Sequence, residues 1–377
     1  MKKLQYHILV FLLLCICTVG HSQGTDQRNR VASTIIADGL AQLPANNVET
    51  FNQVMEEMAQ TGADGIKSLV GLFGPTNKGA NAAYEYAVNG VVDYVTRPDK
   101  ANLRAGVKEG LIQALRTSKD QVLQAFLITQ IQKLATAADV AVFEAYLNDS
   151  YLQPFAMSAL ATTPGIDQYL IGWLPKSDLP KQTLAHLITT RQLVSPTLEP
   201  MLLSWIPGAD SQTLNEIYKA LVINGSTKAA KVLGKQAKSV GYQYEPTHVA
   251  DAYMQLLTCL AGNDPKWVGK AAKQLVKQQR PAIRCAALEL LLKTSGSKAT
   301  SEVLKALKDK DVQYRNTALA MAEECAGNGI FKAVSNQIDR LSVPAQIDVV
   351  RWLGNNRQQN FIEVVLKQYS VNNHIIV

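Results

Sequence analysis

The sequence predicts an all-α protein built as an α-solenoid of stacked antiparallel helical hairpins with a period near 31 residues, and three observations lead there. The first is composition. With 47% hydrophobic, 18% charged and 7% aromatic residues, and abundant Ala and Leu, the chain is a folded one that leans towards helix. The second is repetition. When "RPAIRCAALELLLKTSG" (280–296) is set beneath "DVQYRNTALAMAEECAGNG" (311–329), Arg284 falls on Arg315, Ala287 on Ala318, Leu288 on Leu319 and Gly296 on Gly327. The core position of Leu288 and Leu319 returns at Leu257 and Val350, each step being 31 residues. The third is the lack of any stretch with the strict alternation of a half-buried strand. A unit of this length has room for two short helices and two turns, and it cannot bury its apolar face alone, so neighbouring units must stack.

Taken in order, the chain opens with "MKKLQYHILVFLLLCICTVGHSQG", where two lysines precede an apolar run from Ile8 to Val19 and then small or polar residues. This is the layout of a secretory signal peptide, assigned to residues 1–22. The run is shorter than the roughly 20 residues a membrane span needs, and Cys15 and Cys17 lack the small preceding residue of a lipid-attachment site. The expectation is export to a periplasm or beyond, with no stable membrane span after cleavage. Residues 23–137 read as an irregular helical region, with helices in "VETFNQVMEEMAQTG", "AAYEYAVNGVVDYV" and "QVLQAFLITQIQKLAT". The repeat array is assigned to residues 138–377. Within it "LIGWLPKSD" (170–178) returns as "LLSWIPGAD" (202–210), putting Trp173 over Trp205 and Pro175 over Pro207. "KATSEVLKALKD" carries Val303, Leu304 and Leu307 on one helical face, and Gly327 closes the helix that follows. Pro281 and Pro344 sit at helix starts, where a missing N–H costs least, whereas Pro175 and Pro207 follow helices and stop them. After "NFIEVVLKQYS" only "VNNHIIV" remains, with no polar terminal unit. The array therefore reads as incomplete at its C-terminus, and the surface around Val365, Leu366 and Ile375 to Val377 is expected to be covered by a further domain or by another copy of the chain.

Asp311-Val312, Arg315, Ala318-Leu319 and Gly327 together resemble the second helix of a HEAT repeat, in the short form of phycobilisome-lyase-like proteins. That resemblance implies a HEAT/armadillo-like fold and little about activity. Over its whole length the chain is similar to the N-terminal repeat region of secreted Bacteroidetes proteins that carry a 3-keto-disaccharide hydrolase domain, through "TIIADGLAQLPANNVETFNQVMEEMAQTGADGIKSLVGLF" and "YEYAVNGVVDYV". The family's catalytic domain is β-rich and jelly-roll-like. No such segment is present here, so the resemblance assigns no catalytic residue.

The search for chemistry returns none: no catalytic residue, no metal site and no cofactor is assigned. His21, His186, His248 and His374 are not within four residues of one another, which rules out the spacing of helix-borne metal ligands. His186, among apolar neighbours, reads as a semi-buried, hydrogen-bonded ring, and His248 as a solvated residue at a helix start. Cys259, Cys285 and Cys325 lie in apolar helical stretches without a Cys-x-x-Cys pair, which reads as buried thiols. "GLFGPTNKGAN" with Lys78 lacks the ending of a phosphate loop. Glu56 with Glu57, and Glu323 with Glu324, are helical neighbours about 100° apart that point away from a shared substrate.

Charge is the remaining feature. Residues 24–150 hold 11 basic and 14 acidic side chains, whereas residues 226–310 hold 15 and 6. Lys228, Lys231, Lys235 and Lys238 form one stripe at helical spacing, and Lys266, Lys270, Lys273, Lys277 and Arg280 form another. These nine are the candidate binding residues, as an anion-binding ridge; the alternative is that they are solvated faces of amphipathic helices. Trp267, beside Lys266, reads either as a stacking platform or as packing between repeats. An exported chain without a nucleic-acid reading motif points to a protein or anionic glycan partner and away from nucleic acid. The expected function is that of an exported, non-catalytic helical-repeat scaffold or binding module. The alternative is the accessory region of a secreted carbohydrate-processing enzyme.

Overall fold

The computed structural model describes residues 31–75, 81–357, 359–363 and 366. The signal-peptide assignment, the stretch around Lys78, and Val365 and Ile375 to Val377 lie outside the described residues. Among the described residues there are 21 α-helices joined by turns and short 3-10 segments, and no strand. The fold class is all-α. The chain divides into two compact units between Leu170 and Ile171.

The first unit contains α1 (Ala32–Ala41), α2 (Val48–Gln60), α3 (Gly62–Val70), α4 (Ala82–Val95), α5 (Ala101–Thr117), α6 (Gln121–Leu134), α7 (Val140–Glu144) and α8 (Gln153–Thr162). Helix α2 starts where the Asn47 side chain accepts the Thr50 N–H at 2.8 Å, and it buries Val54, Met55, Met58 and Ala59 along one face. Helix α5 packs against α3, and Gly110 sets how close the two come. A Cβ there would lie 2.6 Å from the Ala63 carbonyl oxygen and 2.7 Å from Ile66 Cβ. Past α6 the turn 137–139 is fixed by Asp139, whose carboxylate accepts the Thr136 N–H and hydroxyl at 2.7 and 2.8 Å and the Lys108 ammonium at 2.6 Å.

Helix α9 (Asp167–Trp173) carries the division. The second unit continues with α10 (Lys181–Arg191), α11 (Leu198–Trp205), α12 (Ser211–Asn224), α13 (Thr227–Ser239), α14 (Val249–Leu260), α15 (Pro265–Leu275), α16 (Pro281–Thr294), α17 (Ala299–Ala306), α18 (Val312–Ala320), α19 (Ala322–Ala326), α20 (Gly329–Ser335) and α21 (Val343–Asn355). Helices α10, α12, α14, α16, α18 and α21 pack each on the next, while α11, α13, α15 and α17 each pack on the helix that follows them. Side-chain caps mark several starts: Asp210 accepts the Thr213 N–H at 2.7 Å, Ser226 the Lys228 N–H at 3.1 Å, Asp264 the Trp267 N–H at 3.1 Å and Asp311 the Gln313 N–H at 2.8 Å. Pro265, Pro281 and Pro344 stand in first turns, as their missing N–H requires.

Leu257, Leu288 and Leu319 are buried. Val350, at the same spacing, is half-buried at the edge of the cluster that holds Leu288 and Leu319, and Val349 and Leu353 reach deeper into it. Trp352 stacks on Phe331 with ring centroids 4.7 Å apart, while Trp173, Trp205 and Trp267 are half-buried. Three readings of the sequence need correction. The helix expected between "KATSEVLKALKD" and Gly327 is interrupted at Met321 into α18 and α19 before Gly327 ends it at φ 69°. The thiols are not fully buried: Cys285 and Cys325 sit at the edge of the core and Cys259 is exposed, because Leu256 and Leu257 take the inner arc of α14. His186 is also exposed. The inward positions of α10 belong to Leu184, Ala185, Leu187 and Ile188, and the ring instead meets Glu216 at 3.1 Å and Thr190 at 3.3 Å.

Candidate anion-binding face

In α13 the buried side chains are Ala229, Ala230, Leu233 and Ala237, which turn Lys228, Lys231, Lys235 and Lys238 outward. In α15, Val268, Ala272 and Leu275 face inward and Lys266, Lys270 and Lys273 outward. The second stripe does not lie on one helix. Helix α15 ends at Leu275, so Lys277 and Arg280 belong to the turn before Pro281 opens α16. All nine candidate residues are exposed, and none forms an ion pair with a described residue.

Two of the nine, Lys273 and Lys277, line a cleft of about 530 Å³. Arg284, Leu288 and Leu291 of α16, Glu302, Lys305 and Ala306 of α17, and Asp309 and Tyr314 complete its main walls. The Arg284 guanidinium is held at four points, one of them Asp311 Oδ2, 3.7 Å from its Nη1. Its Nε donates to the Val276 carbonyl at 3.2 Å, its Nη2 donates to Asp309 Oδ2 at 2.6 Å, and its carbon stands 4.4 Å from the centre of the Tyr314 ring. Burial pushes the Asp309 carboxyl up, but the Asp311 N–H and the Arg284 guanidinium outweigh it and hold the group below the usual carboxylate range. Burial raises the Tyr314 hydroxyl to about 12, so it stays protonated. Arg284 is thus fixed and largely neutralised, whereas Lys305 has, among the described residues, only Glu302 as an ion-pair partner, at 3.8 Å, and is 77% exposed.

Lys305 was not among the residues singled out from the sequence. Its segment reads first as an apolar helical face, and only the packing of α15, α16 and α17 reveals that it stands with Lys273 and Lys277 around one cleft. The cleft brings four cations together with two carboxylates and apolar walls, and its exposed ammonium groups offer electrostatic attraction to an anion.

Several other polar groups are engaged elsewhere. Glu56 accepts from the Tyr94 hydroxyl at 2.8 Å and Lys100 at 3.0 Å, while Glu57 accepts from Gln53. A cleft of about 610 Å³ in the first unit is lined by Arg104, Gln132 and Lys133, but Arg104 donates to the carbonyls of Val95 and Thr96 and Lys133 to Asp93 at 2.8 Å. His248, at the start of α14, lies 3.5 Å from Asp251 and edge-on to Tyr244. Among the described residues no group of three or more His, Cys, Asp or Glu side chains is placed to hold a metal ion, and no helix is long and apolar enough to cross a membrane. No protein-family model matches the chain, and no curated protein matches it.

Proposed function

We propose that the chain is an exported helical-repeat scaffold or binding module, a HEAT-like stack of hairpins that holds an anionic protein or glycan against its basic stripes. The lysine-led apolar run of residues 1–22 supports export. Helix starts at 249, 281, 312 and 343 support a repeat near 31 residues. Side-chain links support it independently. His186 meets Glu216 across 30 residues, Asn224 reaches the Leu193 carbonyl across 31, Glu199 accepts the Ala229 N–H across 30, and Arg315 meets Asp348 across 33. In the first unit the links of Glu56 to Tyr94 and of Asp93 to Lys133 span 38 and 40 residues while those of Lys108 to Asp139 and of Gln132 to Thr162 span 31 and 30, which fits an irregular repeat there.

The observation that carries the binding role is the set of nine exposed cations with no ion-pair partner among the described residues. A single exposed lysine is ordinary, but two stripes of them raise the local concentration of an anion. The test is binding of an oligoglutamate peptide and of an oligoglucuronate at low ionic strength, with Lys270, Lys273 and Lys277 replaced together by Gln. The triple variant should melt within a degree or two of the wild type, because exposed charges contribute little to stability, and should bind several-fold more weakly, with the difference fading in salt. Equal binding by the two proteins at low salt would reduce the stripes to solvated helix faces.

A further inference from the structure

We infer that the cleft bounded by α15, α16 and α17 is the docking point for an acidic peptide segment, whose carboxylates meet Lys273, Lys277 and Lys305. This inference rests on the proposed binding role and narrows it to one place and one class of partner. Four cations face the cleft, Lys273, Lys277, Arg284 and Lys305, against two carboxylates, Glu302 and Asp309. Asp309 is taken up by Arg284 at 2.6 Å, so the exposed ammonium groups give the cleft an unbalanced positive charge. Its volume of about 530 Å³ admits a few side chains and not a folded surface. Lys266 and Lys270 continue the charge along α15, so an extended acidic chain leaving the cleft stays over cations.

Glu302 selects between the two kinds of anionic partner. Its side chain is only 17% exposed, with Lys305 at 3.8 Å as its ion-pair partner, and it therefore presents acceptor oxygens to whatever enters. A peptide brings backbone N–H donors together with its carboxylates and can satisfy Glu302 and the lysines at once. Acidic side chains reach the lysines on flexible stems that keep their charge clear of Glu302, whereas the carboxylates of a polyuronate are fixed directly on its sugar rings. The apolar wall of Leu288 and Leu291 is buried, and Arg284 is braced by Tyr314, so the site is preformed.

The experiment is fluorescence anisotropy of a labelled oligoglutamate peptide at low ionic strength with the full chain, Lys305→Glu, the pair Lys228→Glu with Lys231→Glu, and Lys181→Glu as an exposed control on α10, which carries neither stripe. All four proteins should share one circular dichroism spectrum and melting temperature. Lys305→Glu should weaken the peptide about tenfold or more, with Lys181→Glu unchanged. Binding by Lys305→Glu equal to wild type, while the α13 pair loses affinity, overturns the cleft and leaves the wider role standing. Capture of oligoglucuronate but not of oligoglutamate overturns the peptide assignment alone. Failure of the wild type to bind either probe overturns both readings.

Discussion

The guanidinium of Arg315 donates through Nε and Nη2 to one carboxylate oxygen of Asp348, at 2.7 and 2.6 Å, across 33 residues of chain. Both side chains are buried. The remaining nitrogen, Nη1, donates to the carbonyls of Asp309 and Lys310 at 2.9 Å each, so a single side chain joins the turn before α18 to the helix α21 that packs on it. Arg284, its counterpart in the sequence, does the same with the Val276 carbonyl and Asp309 nearer the surface. The recurring arginine is a strut between neighbouring elements of the second unit.

Removing the acid strands a buried charge. Asp348→Ala should cost about 3–5 kcal/mol, the usual loss when one partner of a buried pair is deleted. Urea unfolding followed by circular dichroism measures it. A loss below about 1 kcal/mol would mean that water reaches Arg315 and that the pair behaves as a surface one.

The same arginines show what the sequence could and could not disclose. Arg284 and Arg315 stand out in an alignment of the chain with itself, and so do Leu257, Leu288 and Leu319, because a repeated helix repeats its inward face. Their partners do not. Asp309 and Asp348 lie 25 and 33 residues further on, because one stands in the turn before α18 and the other inside α21, and neither reads as special in its own segment. The cleft was illegible for the same reason. Its cations come from α15, the turn after it, α16 and α17, whose convergence is a property of packing, so Lys273 and Lys277 could be read from spacing alone while Lys305 could not. His186 was misjudged because four apolar neighbours suggest burial unless the 100° step of the helix is followed through all five residues.

Acid should loosen the first unit through Asp139. Burial pushes this carboxyl up, but the hydrogen bonds from Lys108 and Thr136 outweigh it and leave the group below its ordinary value. A carboxylate depressed in the folded state contributes stability above its unfolded pKa of about 3.9, and loses it as the pH falls through the lower folded value. Asp139→Asn should therefore be less stable than wild type at neutral pH, with the gap constant down to about pH 5 and closing below about 4. Denaturant midpoints of the two proteins across that range provide the check. A gap that persists unchanged to pH 2 would mean that Asp139 acts through shape and not through charge.

Leu319 tests how the second unit is coupled. It sits in a core cluster with Leu288, Ala318, Ala322, Val349 and Leu353, drawn from α16, α18, α19 and α21. Truncation to Ala should cost about 2–5 kcal/mol, the range for a large aliphatic side chain removed from a packed interior. Where the cost appears is more informative than its size. In a stack each hairpin is stabilised by its own helices and by its immediate neighbours, so damage should decay with distance along the chain. Hydrogen exchange on Leu319→Ala should then show lost protection in α16 to α21, less in α12 to α14, and none in α1 to α8. A compact domain with one shared core would respond differently, because its residues unfold as a single cooperative unit. Equal loss of protection in every helix, from α1 to α21, would therefore count against a nearest-neighbour array and against the repeat architecture proposed for this chain.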